Sequence, residues 1–161
     1  MPASQFPAND GGPDWVLAVV DANHADVTQG ELELRFRVLR EPLGHTRDAV
    51  AFPFDNDSIH LLAYDTLHQV IGCVLFHPES EIQGRLYQMA VDPKLQGKGL
   101  GRALVERLED ELQARGFRRI TLHAREVAAG FYGRLGYEVE GTPFEEVGLA
   151  HFHMAKEIGG S

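Results

Sequence analysis

The sequence has one cysteine, one tryptophan and no apolar run long enough to span a bilayer. The lone Cys73 excludes an internal disulfide and lies in the apolar run VIGCVLF, where we expect a core residue. The chain does not open with a basic segment followed by an apolar one, so we expect no secretory signal. These absences predict a cytoplasmic protein with no membrane segment.

Basic residues are also scarce. The chain has 15 Lys and Arg against 24 Asp and Glu, which gives a formal net charge of −9. Nucleic-acid binding normally requires clustered cations, so we expect no nucleic-acid partner. Lys98 and Arg102 lie within a glycine-rich stretch, however, and this indicates a local anion site.

The composition is that of an ordinary globular domain, with 161 residues of which 43% are hydrophobic. Residues 1–13 are rich in Pro, Gly and Asn, and we expect them to form a flexible N-terminal tail. The single folded domain is expected over residues 14–158. We find no internal repeat in it.

Hydrophobic periodicity predicts the elements of the first half of the domain. A strand is expected within residues 14–22, followed by a helix from near Thr28 or Gln29. That helix should end at or before Glu41, because Pro42 disfavours helical geometry in the residue before it. Residues 44–57 have the composition of a loop. Two further strands, at 58–65 and 69–77, are expected to form a hairpin.

The second half predicts a strand at 85–91, an amphipathic helix at 100–115 that Gly116 ends, and a strand at 118–125. A short helix ending near Gly136 and two strands, EVEG and LAHFHMAKEI, follow. The strand–helix–strand unit over 85–125 should place its two strands in parallel. We therefore expect an α/β (α+β) fold whose mixed, mostly antiparallel sheet has one parallel pair and helices on both faces.

The stretch MAVDPKLQGKGLGRAL, residues 89–104, joins the fourth strand to the long helix through three glycines. Free N–H groups at a helix N-terminus attract anions, and glycines let a phosphate approach the backbone. A Walker A motif is excluded because Gly99 follows Lys98 where a hydroxyl is required. A Rossmann fingerprint is excluded because the spacing is G-x-G-x-G rather than G-x-G-x-x-G.

Two blocks of this sequence resemble the GNAT superfamily of acetyl-CoA-dependent N-acetyltransferases. The first is Met89–Pro93 followed by Gln96–Leu104, and the second is RRITLHAREVAAGFYGRLGY, with its aromatic and glycine signature in residues 131–137. The resemblance implies acetyl-CoA as co-substrate and no metal. It further implies a cofactor-binding set consisting of Met89, Ala90, Val91, Gln96, Gly97, Lys98, Gly99, Leu100, Gly101, Arg102 and Tyr132.

The same resemblance implies direct attack of an amine on the thioester in a ternary complex. The backbone N–H of Val91 is the favoured oxyanion donor, and the Tyr132 hydroxyl is the expected proton donor to the departing thiolate. The general base stays open between His123 and His151, with Glu145 and Glu146 as rivals. Val127 stands where many relatives have an Asn that assists CoA binding.

The acceptor pocket is expected between the end of the first helix and the C-terminal hairpin, with Arg40, Glu145 and Glu146 as substrate-contacting residues. The substrate is expected to be a small-molecule amine or a peptide N-terminus, and the chain is compatible with a homodimer. His151 and His153 alternate on a strand without a nearby Cys or carboxylate cluster, which argues against a metal. The rival function is a CoA-binding sensor or partner-binding module without turnover, and a dinucleotide-dependent oxidoreductase is a more distant alternative.

Overall fold

A computed structural model describes residues 14–20, 25–44, 57–146 and 148–159 of the chain. The expected tail over residues 1–13 and most of the expected loop over 44–57 lie outside these ranges. The side chains of residues 25–28 and of Arg40 are also outside the description.

The described strands form one mixed sheet in the order β1-β2-β3-β4-β5-β7-β6. Strands β4 and β5 are parallel, whereas β1 with β2, β5 with β7 and β6 with β7 are antiparallel. The predicted mixed sheet with one parallel pair is therefore confirmed. The elements are β1 (Val16–Val20), α1 (Ala25–Arg35), β2 (Ile59–Tyr64), β3 (Val70–Pro78), β4 (Gln83–Val91), α2 (Leu100–Ala114), β5 (Arg119–Arg125), α3 (Ala129–Arg134), β6 (Glu138–Glu146) and β7 (Leu149–Glu157).

The chain divides into two compact units. The first unit contains the described residues up to Leu75 together with Gln88–Arg107, and the second contains Phe76–Tyr87 together with the described residues from Leu108 onward. Long elements such as β3, β4 and α2 contribute residues to both units.

In the first unit, α2 lies close to β3 because β3 has a glycine at the point of approach. A Cβ on Gly72 would stand 2.9 Å from Leu104 Cδ1 and 3.2 Å from Leu100 Cδ2. Both leucines are fully buried, as the predicted apolar stripe of this helix requires. Any larger residue at position 72 would push the helix, and the loop that precedes it, away from the sheet.

In the second unit, a buried ionic group lies beneath the C-terminal strands. The Tyr137 hydroxyl donates to Glu109 Oε2 at 2.8 Å, and Lys156 Nζ donates to Glu109 Oε1 at 3.0 Å. Lys156 also donates to the Leu135 carbonyl at 2.7 Å. The buried Glu109 carboxylate is therefore both neutralised and hydrogen-bonded, which is the condition for burying a charge without a large penalty.

The first helix begins at Ala25, before its predicted start near Thr28 or Gln29, and after Arg35 the chain continues as a π-helix, Phe36–Arg40, and a 3₁₀ turn, Glu41–Leu43. The prediction that the helix ends at or before Glu41 is confirmed. Glu41 nevertheless has helical angles of φ −56° and ψ −45°, which Pro42 disfavours in the residue before it. Pro42 lies in the first turn of the 3₁₀ segment, where its missing N–H costs no helical hydrogen bond.

Strand β6 is longer than the pattern predicted, whereas β7 agrees with its predicted range to one residue. Strand β6 extends through Pro143 to Glu146 instead of ending with EVEG, and its register against β7 shifts between Glu140 and Phe144. A proline is tolerated here because β6 is at the edge of the sheet. The predicted end of α2 is confirmed: Gly116 has φ +92°, and Phe117 N–H donates to Leu112 O at 2.9 Å.

Candidate active site

Strand β4 leaves its parallel partner before its own end. Its pairing with β5 covers Gln83–Leu86, and Gln88 then adopts φ +57°, which is rare for a residue with a side chain. Asp92 N–H, at the end of β4, donates to Ile71 O of β3 at 2.8 Å. Because successive backbone amides alternate in direction along a strand, the Val91 N–H points away from β3. That is the side of β4 on which the pairing with β5 ends at Leu86.

The glycine loop, defined as Gln96–Arg102, turns from β4 into α2. Gln96 Nε2 donates to Val91 O at 3.1 Å, which ties the start of the loop to the end of the strand. Gly97 and Gly99 have φ of +81° and +89°, and a Cβ at either position would have no heavy atom within 4 Å among the described residues. The two glycines thus supply left-handed geometry and leave open space beside the backbone.

The helix begins at Leu100, so Gly101 lies in its first turn. The Ala103 N–H donates to Gly99 O at 3.0 Å. The amides of Leu100, Gly101 and Arg102 precede that bond and have no acceptor within the helix. Open space, unused amides and the positive end of a helix dipole are what a pyrophosphate requires, so the loop fits one.

Two exposed cations accompany the loop. Lys98 and Arg102 are both exposed, and Arg102 Nε lies 3.3 Å from Glu106 Oε1 one helical turn later. A solvent-exposed pair of this kind holds its side chain only weakly. Arg102 can therefore turn from Glu106 to a bound anion.

Tyr132 lies in α3 and is buried among aromatic rings. Its ring makes edge contacts with Phe131 at 5.0 Å and with Tyr137 at 5.8 Å between centroids. Burial raises the pKa of Tyr132 well above its usual value. The phenol is protonated at neutral pH, as any tyrosine is, and its raised pKa makes it a weaker acid than an exposed phenol.

A polar surface in the second unit gathers several of the expected catalytic residues. The sheet register pairs His123 with His153 and Arg125 with His151, and it pairs Glu140 with His153 and Phe144 with His151. These positions share one side of the sheet because residues two apart on a strand point the same way. We call this surface the histidine face, and its central side chains are Arg85, His123, Phe144, Glu146, His151 and His153.

Glu146 lies between two histidines on this face. Its Oε1 is 3.3 Å from His123 Nδ1, and its Oε2 is 3.6 Å from His151 Nε2. Arg85 donates to His123 Nδ1, and its terminal nitrogen is 3.8 Å from Glu146 Oε1. The Phe144 ring contacts His123 at 4.7 Å and stacks on His151 at 5.9 Å between centroids.

Burial, and next the nearby Arg85 guanidinium, lower the pKa of His123, while Glu146 opposes them. His123 is therefore neutral at neutral pH. The structure brings together three of the four proposed bases: His123, His151 and Glu146. Glu145 is next to Glu146 on β6 and thus points to the other side of the sheet.

Sequence reasoning missed Arg85, which alternates with buried neighbours along β4 and so could have been assigned to the same side as His123.

The Arg40 side chain lies outside the described residues. Arg37, near it, pairs with Asp92 at 3.4 Å. Val127, at the position where many relatives have Asn, is 84% exposed and contributes no hydrogen bond from its side chain.

The Acetyltransferase (GNAT) domain family model matches residues 44–158. The chain belongs to the GNAT acetyltransferase family. A Bacillus subtilis relative, the uncharacterized protein YyaT, is 30% identical over 59% of this chain and 72% of its own length.

Solved structures agree with this GNAT assignment at the level of the fold. An N-acetyltransferase structure from Lactobacillus plantarum has a TM-score of 0.81 at 23% identity, covering 91% of this chain and 99% of that one. An aminoglycoside 6'-N-acetyltransferase complexed with coenzyme A has a TM-score of 0.75 at 19% identity, covering 91% and 98%.

The family assignment confirms the predicted resemblance, and the GNAT domain makes this chain an N-acetyltransferase. Within the described ranges, no group of three or more His, Cys, Asp or Glu side chains is arranged to hold a metal ion. The described helices include none that is both long and apolar enough to cross a membrane.

Proposed function

We propose that this GNAT enzyme transfers an acetyl group from acetyl-CoA to a primary amine by direct attack in a ternary complex. The observation that carries the proposal is the glycine loop, in which Gly97 and Gly99 have positive φ beside open space at the start of α2. Amides of the first helical turn would hold the pyrophosphate, with Lys98 and Arg102 adding positive charge.

The thioester of acetyl-CoA supplies an activated carbonyl carbon for the attack. The Val91 N–H is proposed to stabilise negative charge on the carbonyl oxygen, because it points to the side of β4 on which the pairing with β5 ends at Leu86. Tyr132, protonated at neutral pH, is proposed to donate a proton to the departing sulfur.

The acceptor is proposed to be a primary amine, either a small molecule or a peptide N-terminus. Glu146 supports a cationic amine, because its side chain is 41% exposed and its carboxylate lies beside His123 and His151. Binding of an anionic substrate group by Arg40 stays a prediction, as do the cytoplasmic location and the homodimer.

A ligand-binding comparison tests the cofactor part of the proposal. Acetyl-CoA at 100 times its Kd should stabilise the fold by about 2.7 kcal/mol, whereas NAD should produce no thermal shift. Equal shifts with both ligands would remove the basis for a pyrophosphate site of the CoA type.

A panel of amines, assayed by release of free CoA thiol, tests the transfer itself. Polyamines, amino acids, aminoglycosides and short peptides with free N-termini cover the proposed substrate classes. Tight CoA binding without thiol release from any amine would favour the sensor or partner-binding alternative.

A further inference from the structure

Two histidines of the histidine face, His123 and His151, have different neighbours, and these neighbours decide which ring nitrogen carries the proton. A neutral imidazole has one N–H donor and one lone pair. A carbonyl oxygen can only accept a hydrogen bond and a guanidinium can only donate one. Contacts with such groups therefore identify the tautomer of each ring.

His151 is bonded to a carbonyl. Its Nδ1 lies 2.9 Å from Leu149 O, so Nδ1 must carry the proton. The lone pair is then on Nε2, which lies 3.6 Å from Glu146 Oε2. His151 is thus held with its basic nitrogen towards Glu146.

His123 is bonded to a guanidinium. Arg85 donates to its Nδ1, and Glu146 Oε1 is 3.3 Å from the same nitrogen. Because the Arg85 contact is much the shorter and a guanidinium can only donate, the lone pair of this ring is on Nδ1 and the proton is on Nε2. Protonation of Nδ1 would break the bond to Arg85 and place a second cation beside it. His123 is therefore a hydrogen-bond donor at Nε2 and is poorly suited to accept a proton.

We propose that His151 and Glu146 form the proton-accepting pair of this enzyme, and that the acceptor substrate is a cationic primary amine held by Glu146. This inference rests on the proposed function. Glu146 is 41% exposed, whereas the His151 side chain is only 6% exposed, so the carboxylate is the group that contacts the ammonium.

The proton balance is simple. One N–H bond of the bound ammonium breaks, and its electron pair stays on the nitrogen as the nucleophile. The proton passes by way of Glu146 Oε2 to His151 Nε2, where a new N–H bond forms. The resulting imidazolium donates a hydrogen bond to Leu149 O, and its Nε2–H lies within ion-pair distance of Glu146 Oε2, at 3.6 Å.

Charged groups from four strands surround His151. Glu146 is the carboxylate that the structure brings to Nε2, while Glu140 is already paired with Arg119 at 2.6 Å. Arg125, on the neighbouring strand β5, is the cross-strand partner of His151. The titratable and charged groups facing His151 are Arg85 from β4, His123 and Arg125 from β5, Glu140 and Glu146 from β6, and His153 from β7.

Nitrogen-15 NMR of the histidine rings in the full chain at neutral pH tests the tautomers without any assay of activity. We expect His151 to carry its proton on Nδ1 and His123 to carry its proton on Nε2. A spectrum in which His151 is protonated on Nε2 would overturn the proposal.

Kinetics of His151→Asn then test the proton transfer. The Asn amide can still donate to Leu149 O but has no basic nitrogen, so kcat/KM should fall by on the order of 10²-fold or more. The fall in rate at low pH, which is the acidic limb of the pH–rate profile, should also disappear in this variant. His153→Asn, on the same strand and the same face, is the matched control and should keep both the rate and the limb.

His123→Gln separates the two histidines, since Gln preserves a donor at the Nε2 position. We expect this variant to keep the acidic limb whatever its rate. Loss of the limb in His123→Gln together with its retention in His151→Asn would reverse the assignment. Each variant is first checked for CoA binding. If His151→Asn does not fold, Glu146→Gln is tested instead, and an unchanged pH–rate profile in that variant would overturn the proposed proton-accepting pair.

The outcomes separate this inference from the proposed function. If the wild-type chain acetylates no amine, the proposed transfer fails, and the NMR tautomers still decide the assignment of the rings. If an amine is acetylated and His151→Asn retains the limb, only the proton-accepting pair fails.

Discussion

The glycine loop and the histidine face hold their polar groups in different ways. In the loop, the working groups are backbone amides of consecutive residues, and their direction follows from two positive φ angles and the start of a helix. On the histidine face, side chains from β4, β5, β6 and β7 meet, and their distances follow from the sheet register. One region is local, whereas the other depends on strands far apart in the chain.

This difference predicts different responses to substitution. A change in the loop should affect ligand binding through the backbone, with a stability cost that any left-handed glycine would share. A change on the histidine face should act through one hydrogen bond or one proton. The following variants separate the two kinds of effect.

Gly99→Val should have the largest effect, raising the Kd for CoA by more than 100-fold. The β-branched side chain would fill the space beside the amides and disfavour the φ of +89°. The control is Gly116→Val at the other end of α2, where φ is +92° and the space is also open. Both variants should lose about 1–2 kcal/mol of stability, but the control should bind CoA normally in calorimetry. Normal CoA binding by Gly99→Val would mean that the glycine loop only connects β4 to α2.

Tyr132→Phe should lower kcat by on the order of 10²-fold and leave CoA affinity nearly unchanged. The variant keeps the ring contacts with Phe131 and Tyr137 and removes only the hydroxyl. Steady-state kinetics with an accepted amine, alongside a CoA binding isotherm, measure the two effects. An unchanged kcat in an assay limited by chemistry would make Tyr132 a packing residue.

Cys73 should make stability fall at alkaline pH. Burial, with a further contribution from Glu31, raises the pKa of the thiol from 9.0 to about 12. The unfolded chain releases this proton above pH 9 and the folded chain does not, so the unfolded state binds fewer protons and stability falls as pH rises from 9 towards 12.

The expected loss from Cys73 at pH 10 is on the order of 1 kcal/mol. Denaturant midpoints between pH 8 and 10 measure it, with Cys73→Ala as the control that lacks this titration. Buried tyrosines with raised pKa act in the same direction in both proteins. Parallel pH dependence of wild type and control would show that the thiol ionises as easily in the folded chain as in the unfolded one.

Arg102→Gln should have the smallest effect, a rise of about two- to fivefold in the Kd for CoA, as for loss of one exposed charge contact. Arg115→Gln is its matched control, because Arg115 pairs with Glu111 one turn away at the other end of α2. Both variants should lose at most about 0.5 kcal/mol of stability in denaturant titrations. Equal CoA affinity of the two variants would mean that the Arg102 side chain does not contribute to binding and that the backbone amides of the glycine loop account for it.

Where the sequence pattern was local, it predicted the structure well. The leucine stripe of α2, the left-handed Gly116 at its end and the parallel strand pair are confirmed. The π-helix after Arg35 and the extension of β6 were not predicted, because neither is encoded by a residue preference within a few positions. They depend on packing against other elements, which overrides local propensity.

The sequence by itself determined the family, the glycine loop and the parallel strand pair. The family and the loop follow from short stretches of neighbouring residues, and the parallel pair follows from the rule for a strand–helix–strand crossover. Only the tertiary structure decided that Glu146, and not Glu145, lies beside His123 and His151. It also placed Arg85 on His123 Nδ1 and Leu149 O on His151 Nδ1. The physical reason is that a slip of one residue in strand register moves every side chain of that strand to the opposite face of the sheet. The register itself is set by contacts between segments that are distant in the sequence.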